Sequence, residues 1–236
     1  MWPFDDKLTR LEKKRRALLE RKEEPAALRA IYEQALPDAA TPLTALSFLS
    51  LDFETTGLDV TQESVISMGG VELSNLEILF EKGFHRYLKA DPQKLHSEST
   101  AVIHHITAET LAHGDDPYTA MEELVKALAG KILIAHAATI EKSFLIKTLN
   151  LPQDTFLPLI TVDTLFIERS LSTFSGRTSD LSLSRIRERR LLPPYVAHNA
   201  FADAVAAAEV FLAQLADIFG PDLRKATLGQ LMTRLP

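Results

Sequence analysis

The chain contains no cysteine. Disulfides, thiol nucleophiles, cysteine-held zinc and iron–sulfur clusters are therefore excluded. It also lacks any run approaching the roughly 18 apolar residues of a membrane span. Its first residues, Met1-Trp2-Pro3-Phe4-Asp5-Asp6, lack the basic and then apolar pattern of a secretion signal. A cytoplasmic protein with no membrane attachment is the expectation. Neither G-x-G-x-x-G nor G-x-x-x-x-G-K-[ST] occurs, so dinucleotide and P-loop readings have no support. Positive charge is in short supply, with 26 Lys and Arg against 32 Asp and Glu and a formal net charge of −6. That argues against a coat protein holding nucleic acid by bulk charge. It leaves open an enzyme on nucleic acid, because a metal site built from carboxylates is itself acidic. What is present is ordinary for a soluble globular chain: 236 residues, 46% apolar and 25% charged, enough for one large domain or two small ones.

Residues 7–36 read as helix. Leu8, Leu11, Leu18 and Leu19 form one stripe among Lys13, Lys14, Arg15, Arg16, Arg21 and Lys22, and Pro25 divides the segment. Two readings stand. One is a docking arm for nucleic acid or a protein partner; the other, favoured, is a packed helical extension with a solvated charged face. Residues 36–42 look like a linker. From Leu46 the pattern becomes β: a strand ending near Glu54, a second over 64–73 and a third over 77–87, with Ser74-Asn75 as the turn. A helix over 118–128 closes at Gly130 and precedes a buried strand, Lys131–Ala135, which His136 ends. A helix of about ten residues follows from near Ala138. A short strand over 159–163, a helix from Thr164, a loop around Gly176 and a basic helix over 181–190 come next. A long alanine-rich helix over 201–219 stops at Gly220-Pro221, and a short C-terminal helix follows. The order predicts an α/β layered domain with a mixed central sheet flanked by helices. Residues 1–45 form the N-terminal helical extension, 46–220 the main domain and 221–236 a tail.

The residues 48–54, Phe-Leu-Ser-Leu-Asp-Phe-Glu, alternate. Leu49, Leu51 and Phe53 point one way and Ser50, Asp52 and Glu54 the other. Two carboxylates side by side repel, and burying them is costly without a counter-charge. A hard divalent cation supplies a reason for the pair; a strand end running into a solvated turn at Gly57 is the alternative. Glu141 falls in the first turn of the helix after the buried strand, and Asp203 in the first turn of the long helix. The helix dipole favours negative charge at both even without a metal. His198 lies five residues before Asp203, on the entering loop. There it suits general-base work, and it equally fits a solvated helix-entry residue.

Together these residues resemble the DEDD superfamily of 3′–5′ exonucleases, in the DnaQ-like branch with a catalytic histidine. The resemblance covers roughly residues 47–215. Asp52-Phe53-Glu54-Thr55-Thr56-Gly57 matches the family's D-x-E-T-T-G, and Ile103-His104-His105-Ile106-Thr107 is similar to its I-H-G-I-T. The stretch from Ile134 through His136 and Glu141 to Leu145 is similar to V-A-H-N-A-x-F-D-x-x-F-L. Val162-Asp163-Thr164-Leu165 is similar to I-D-T-L, and His198 to Asp203 matches H-x-x-x-x-D. The second motif departs from the pattern: Ala137 replaces asparagine, Ile140 phenylalanine and Glu141 aspartate.

The resemblance implies a ribonuclease H-like fold and two divalent cations, Mg²⁺ or Mn²⁺, on Asp52, Glu54, Glu141 and Asp203. It implies His198 as general base and release of nucleoside 5′-monophosphates from a single strand, DNA favoured over RNA. Thr55, Leu58, His104 and His136 would contact the terminal nucleotide. Arg185, Arg187, Arg189 and Arg190 either track the strand or form a solvated face. Competing readings are a non-catalytic nucleic-acid-binding module and a phosphodiesterase for small nucleotides.

Overall fold

A computed structural model describes residues 5–91, 106–173 and 180–235. The organising element is strand β1 (Ser47–Thr55), inside a five-stranded sheet of order β3-β2-β1-β4-β5. β2 (Val65–Ser74) and β3 (Glu77–Tyr87) continue from β1 as an antiparallel meander. Their turn lies one residue later than the sequence suggests. Asn75 and Leu76 take φ of 52° and 60°, the two left-handed residues that a tight hairpin matched to strand twist requires. β4 (Ile132–Ala135) and β5 (Thr161–Asp163) run parallel to β1 on its other side. Three strand ends therefore point the same way, the end of an α/β sheet at which ligand sites gather. The result is the expected mixed sheet flanked by helices.

Alternation on β1 assigns its two faces. Leu49, Leu51 and Phe53 pack with α2 (Arg29–Tyr32), α4 (Pro117–Leu128) and α5 (Thr139–Thr148). The short α3 (Ala108–Ala112) is capped by the Thr107 side chain. α4 ends two residues before Gly130, whose φ of 75° lets Lys131 N–H reach Leu128 O at 3.0 Å and turns the chain into β4. On the opposite face, Phe48 meets Phe211 at 5.4 Å between ring centroids, beneath the long α8 (Ala200–Phe219). α6 (Thr164–Thr173) and the basic α7 (Leu183–Arg189) flank α8. No helix among the described residues is long and apolar enough to cross a membrane.

Two small residues decide where α8 lands. Gly69 pairs with Asp52 across β1 and β2. A Cβ on Gly69 would stand 2.2 Å from Phe201 N and 2.3 Å from Ala200 C, so the first turn of α8 rests directly on strand backbone. Beside it the Ser50 hydroxyl donates to Ala204 O at 2.7 Å. Gly69→Ala is expected to cost about 3 kcal/mol, as overpacking against rigid backbone does. Chemical denaturation checks this, and an unchanged unfolding midpoint would show that α8 does not need the close approach.

The N-terminal segment is packed on the sheet. α1 (Asp5–Arg21) sets Leu8 in the core, and Leu28, Ile31 and Tyr32 are buried with β1 and α4. The stretch predicted to be a linker is paired to the C-terminal segment. Leu43 N–H donates to Ala226 O at 2.8 Å, Leu228 N–H to Thr41 O at 2.9 Å and Gly229 N–H to Ala39 O at 2.8 Å. The C-terminal helix α9 (Leu228–Met232) buries Leu228, Leu231 and Met232 in the core.

Candidate active site

The end of β1 and the first turn of α8 bring three carboxylates together. One oxygen each from Asp52, Glu54 and Asp203 lies within 4.8 Å of the others. Burial raises the Asp52 pKa well above the carboxylate range, and the charges of Glu141, Asp203 and Glu54 raise it further. Burial also raises Asp203, with Glu54 adding to the effect against the hydrogen bond from Tyr195. Oxygen donors crowded until they resist ionisation are what a hard divalent cation would relieve.

Asp203 is held from two sides. Tyr195 Oη donates to Oδ1 at 2.7 Å and Asn199 N–H to Oδ2 at 3.0 Å. Asn199 also caps α8, accepting from Ala202 N–H. Tyr195 is fixed in turn by the buried Arg187, whose guanidinium lies 4.8 Å from the ring centroid. Arg187 donates to Glu209, to Ala206 O and to Pro193 O, tying the loop that carries Tyr195 to α8. Tyr195, in a proline-broken loop, was assigned no site role from the sequence, and Arg187 was read only with Arg185, Arg189 and Arg190, as tracking the strand or forming a solvated face. Arg190, just after α7, pairs with Glu168 and Asp217, Arg189 with Glu168 and Arg185 with Glu188, so these arginines are largely committed to the protein's own carboxylates. Removing a group that orients a ligand typically costs 10–100-fold in metal affinity. Tyr195→Phe is expected to weaken Mn²⁺ binding about tenfold by calorimetry, and an unchanged Kd would reduce Tyr195 to loop packing.

Glu141 lies outside the triad. It is buried in the first turn of α5, and its Oε2 has no hydrogen-bond partner among the described residues. Burial pushes its carboxyl up to about 8, with Asp163 contributing. Its charge also acts on Asp52, so the two carboxyls are near neighbours. Asp163 ends β5 and caps the entry to α5, accepting from Ala137 and Ala138 N–H, both at 3.1 Å. Ala137 holds φ of 72°, a left-handed conformation that costs an alanine about 1–2 kcal/mol and that asparagine tolerates better.

Of the other predicted residues, His198 is exposed at φ 63° on the loop before α8, and its backbone N–H donates to Asp203. Thr55 ends β1 with its hydroxyl on Gly57 O at 2.8 Å, and Leu58 stands 79% exposed on the following turn. His136 has both ring nitrogens engaged: Nε2 donates to Leu181 O at 3.0 Å and Nδ1 faces Thr164 Oγ1 at 2.9 Å. Burial lowers its pKa, so it is a neutral tie between β4, α6 and the Leu181 loop. His104 and the loop around Gly176 lie outside the described residues.

A carboxylate cluster at the strand ends of a mixed sheet, with the last acid delivered by a helix, is a set of oxygen donors that suits a hard divalent cation. The exonuclease family model (RNase_T) matches residues 49–211. The chain is 32% identical over 180 residues to the DNA polymerase III subunit epsilon of Rickettsia typhi, covering 72% of this chain and 75% of that one. It is 30% identical over 166 residues to the PolC-type DNA polymerase III of Thermotoga maritima, covering 70% of this chain but only 12% of the polymerase. E. coli exonuclease I, solved with zinc and single-stranded DNA, shares the fold at a TM-score of 0.63 and 14% identity, over 76% of this chain and 42% of that one. The chain belongs to the exonuclease family, the DEDD 3′–5′ exonucleases with a ribonuclease H-like fold.

Proposed function

We propose that the chain is a divalent-cation-dependent 3′–5′ exonuclease that removes nucleoside 5′-monophosphates from single-stranded nucleic acid, DNA in preference to RNA, with residues 46–220 as the catalytic unit. The observation that carries the reading is the meeting of Asp52, Glu54 and Asp203 within 4.8 Å. The names of the relatives, the epsilon subunit of a DNA polymerase III and an exonuclease solved with single-stranded DNA, support the substrate class. Asp52, Glu54 and Asp203, with the charge of Glu141 acting on Asp52, fit two Mg²⁺ or Mn²⁺ ions. When bound, such ions acidify a water, polarise the phosphoryl group and offset charge on the leaving oxygen.

The chain's own residues do the rest. Leu58 and the Thr55 turn form an exposed rim against which the terminal nucleotide packs. His198, on a loop tied to Asp203, takes the proton of the attacking water. The water oxygen bonds to the terminal phosphorus as the bond to the 3′-oxygen of the preceding nucleotide breaks, releasing the 5′-monophosphate. Tyr195 and Asn199 keep Asp203 turned toward β1 throughout.

A 5′-labelled strand incubated with Mg²⁺ or Mn²⁺ should give a ladder shortening from its 3′ end, absent in EDTA. His198→Ala should lower kcat by about 10²–10⁴-fold while leaving the Mn²⁺ Kd within about twofold; a large loss of Mn²⁺ binding would make His198 a ligand instead. The place of Glu141 outside the triad favours one other reading, a binding module with weakened chemistry. That reading predicts retention of the strand with no ladder.

A further inference from the structure

The register of the sheet sets two rings on the face that carries the acids. Asp52 pairs with Gly69 and Gly69 with His85, while Glu54 pairs with Ser67 and Ser67 with Tyr87. Paired residues, and residues two apart on one strand, share a face. Two rows therefore cross the sheet, one from Asp52 to His85 and one from Glu54 to Tyr87. At about 4.8 Å per strand step, each ring springs from backbone about 10 Å from that of its carboxylate. The two rings meet at 4.8 Å between centroids. His85 Nε2 lies 2.8 Å from Ser67 Oγ, which anchors that ring to the middle of the second row. The charge of Glu54 reaches His85.

Core packing does not account for the pair. The neighbouring Phe84 and Met68 alternate to the other face and pack on the α4 side of the sheet. On the face of the acids, α8 starts over Gly69 in the first row and runs away from the second, since Ser50, two residues before Asp52, meets Ala204. Tyr87, at the end of the second row, stays 37% exposed. The rim proposed for the terminal nucleotide leans the other way. Val60 packs on the α4 side and Lys147 of α5 donates to Glu63 O, so the loop carrying Leu58 is drawn to that face. The acids, at the end of β1, stand between rim and rings. A strand with its last nucleotide at the rim and its scissile phosphate on the acids therefore continues over the face of α8, toward β3. An exposed ring there offers a surface on which any base can stack.

We propose that the Tyr87 and His85 rings form a stacking platform for the penultimate base of the substrate strand, the one that stays behind when the terminal nucleotide leaves. The assignment of the strand end to the acids rests on the function proposed above, so binding is measured apart from cleavage. The titration uses the full chain and 5′-fluorescein-labelled dT12 in EDTA, followed by anisotropy. An abasic residue in place of the penultimate base is expected to raise the Kd of the parent chain about tenfold, within the range for one stacked base. An abasic residue near the 5′ end should leave it within about twofold. Tyr87→Leu should raise the Kd of intact dT12 about tenfold and bind the penultimate-abasic strand with nearly the same Kd as the intact one, because the base and the ring act as a pair. Tyr87→Phe keeps the ring and should match the parent chain. Equal affinities of the parent chain for the two abasic strands would overturn the proposal, and that comparison stands even if Tyr87→Leu fails to fold. A Tyr87→Leu chain with a lowered melting temperature and an unchanged Kd would overturn it too, the result expected if the rings only pack the sheet. Coupling between base and ring without a cleavage ladder would sink the exonuclease reading and leave the platform; a ladder without coupling would do the reverse.

Discussion

Asp52→Asn is expected to lower exonuclease turnover by at least about 10³-fold while raising the melting temperature of the cation-free protein. Both effects come from one position. Burial, together with the charges of Glu141, Asp203 and Glu54, holds the Asp52 carboxyl well above the usual range. Ionising it in the folded chain therefore costs free energy that the unfolded chain does not spend. Asparagine keeps the shape and removes the charge. A gain of about 1–2 kcal/mol would raise the melting temperature by roughly 4 °C in a chain of this length. Saturating Mn²⁺ should reverse the order, stabilising the parent chain more than the variant. Thermal melts in EDTA and in Mn²⁺, beside a cleavage assay, test both halves. Undiminished, cation-dependent cleavage by a folded variant would remove Asp52 from the site.

The second large effect concerns Glu141 and pH. Its carboxyl rises from 4.5 to about 8 in the folded chain, with burial as the leading cause. Between those values the native state keeps a proton that the unfolded state has released. Raising the pH through that window therefore favours unfolding, by up to an amount on the order of 4 kcal/mol. The cation-free protein should lose stability from about pH 4.5 to pH 8, and Glu141→Gln should flatten much of that decline. Mn²⁺ at pH 8 should restore stability to the parent chain by favouring the ionised site. Urea titrations at several pH values decide the matter. A parent and a Glu141→Gln chain with parallel pH profiles would mean that Glu141 contributes no buried charge.

The acidic pair was legible because a strand's period of two puts Asp52 and Glu54 on one face whatever the rest of the chain does. Asp203 was legible because a helix entry concentrates such residues, and the same signal put His198 on the loop before α8. The parts that bring them together were not. Gly69 follows Met68 and precedes a second glycine within an ordinary strand pattern, and nothing local shows that a helix 131 residues further along the chain, beginning at Ala200, will rest there. Arg187 lies among Arg185, Arg189 and Arg190, yet it alone of the four is buried, because Glu209, Pro193 and Ala206 surround it. Glu141 could be read as a departure from an aspartate motif. Its position outside the triad depends on how far back α5 sits, which tertiary packing decides.

The contact between Ser50 and Ala204 spans 154 residues of chain, and the third carboxylate arrives only with the helix that makes it. A ribosome releases the chain from its N-terminus, so Asp52 and Glu54 emerge long before their partner is synthesised. An incomplete chain ending before residue 203 holds two acids and no third. The proposed cation site is thus complete only late, when the C-terminal half folds back onto the first strand.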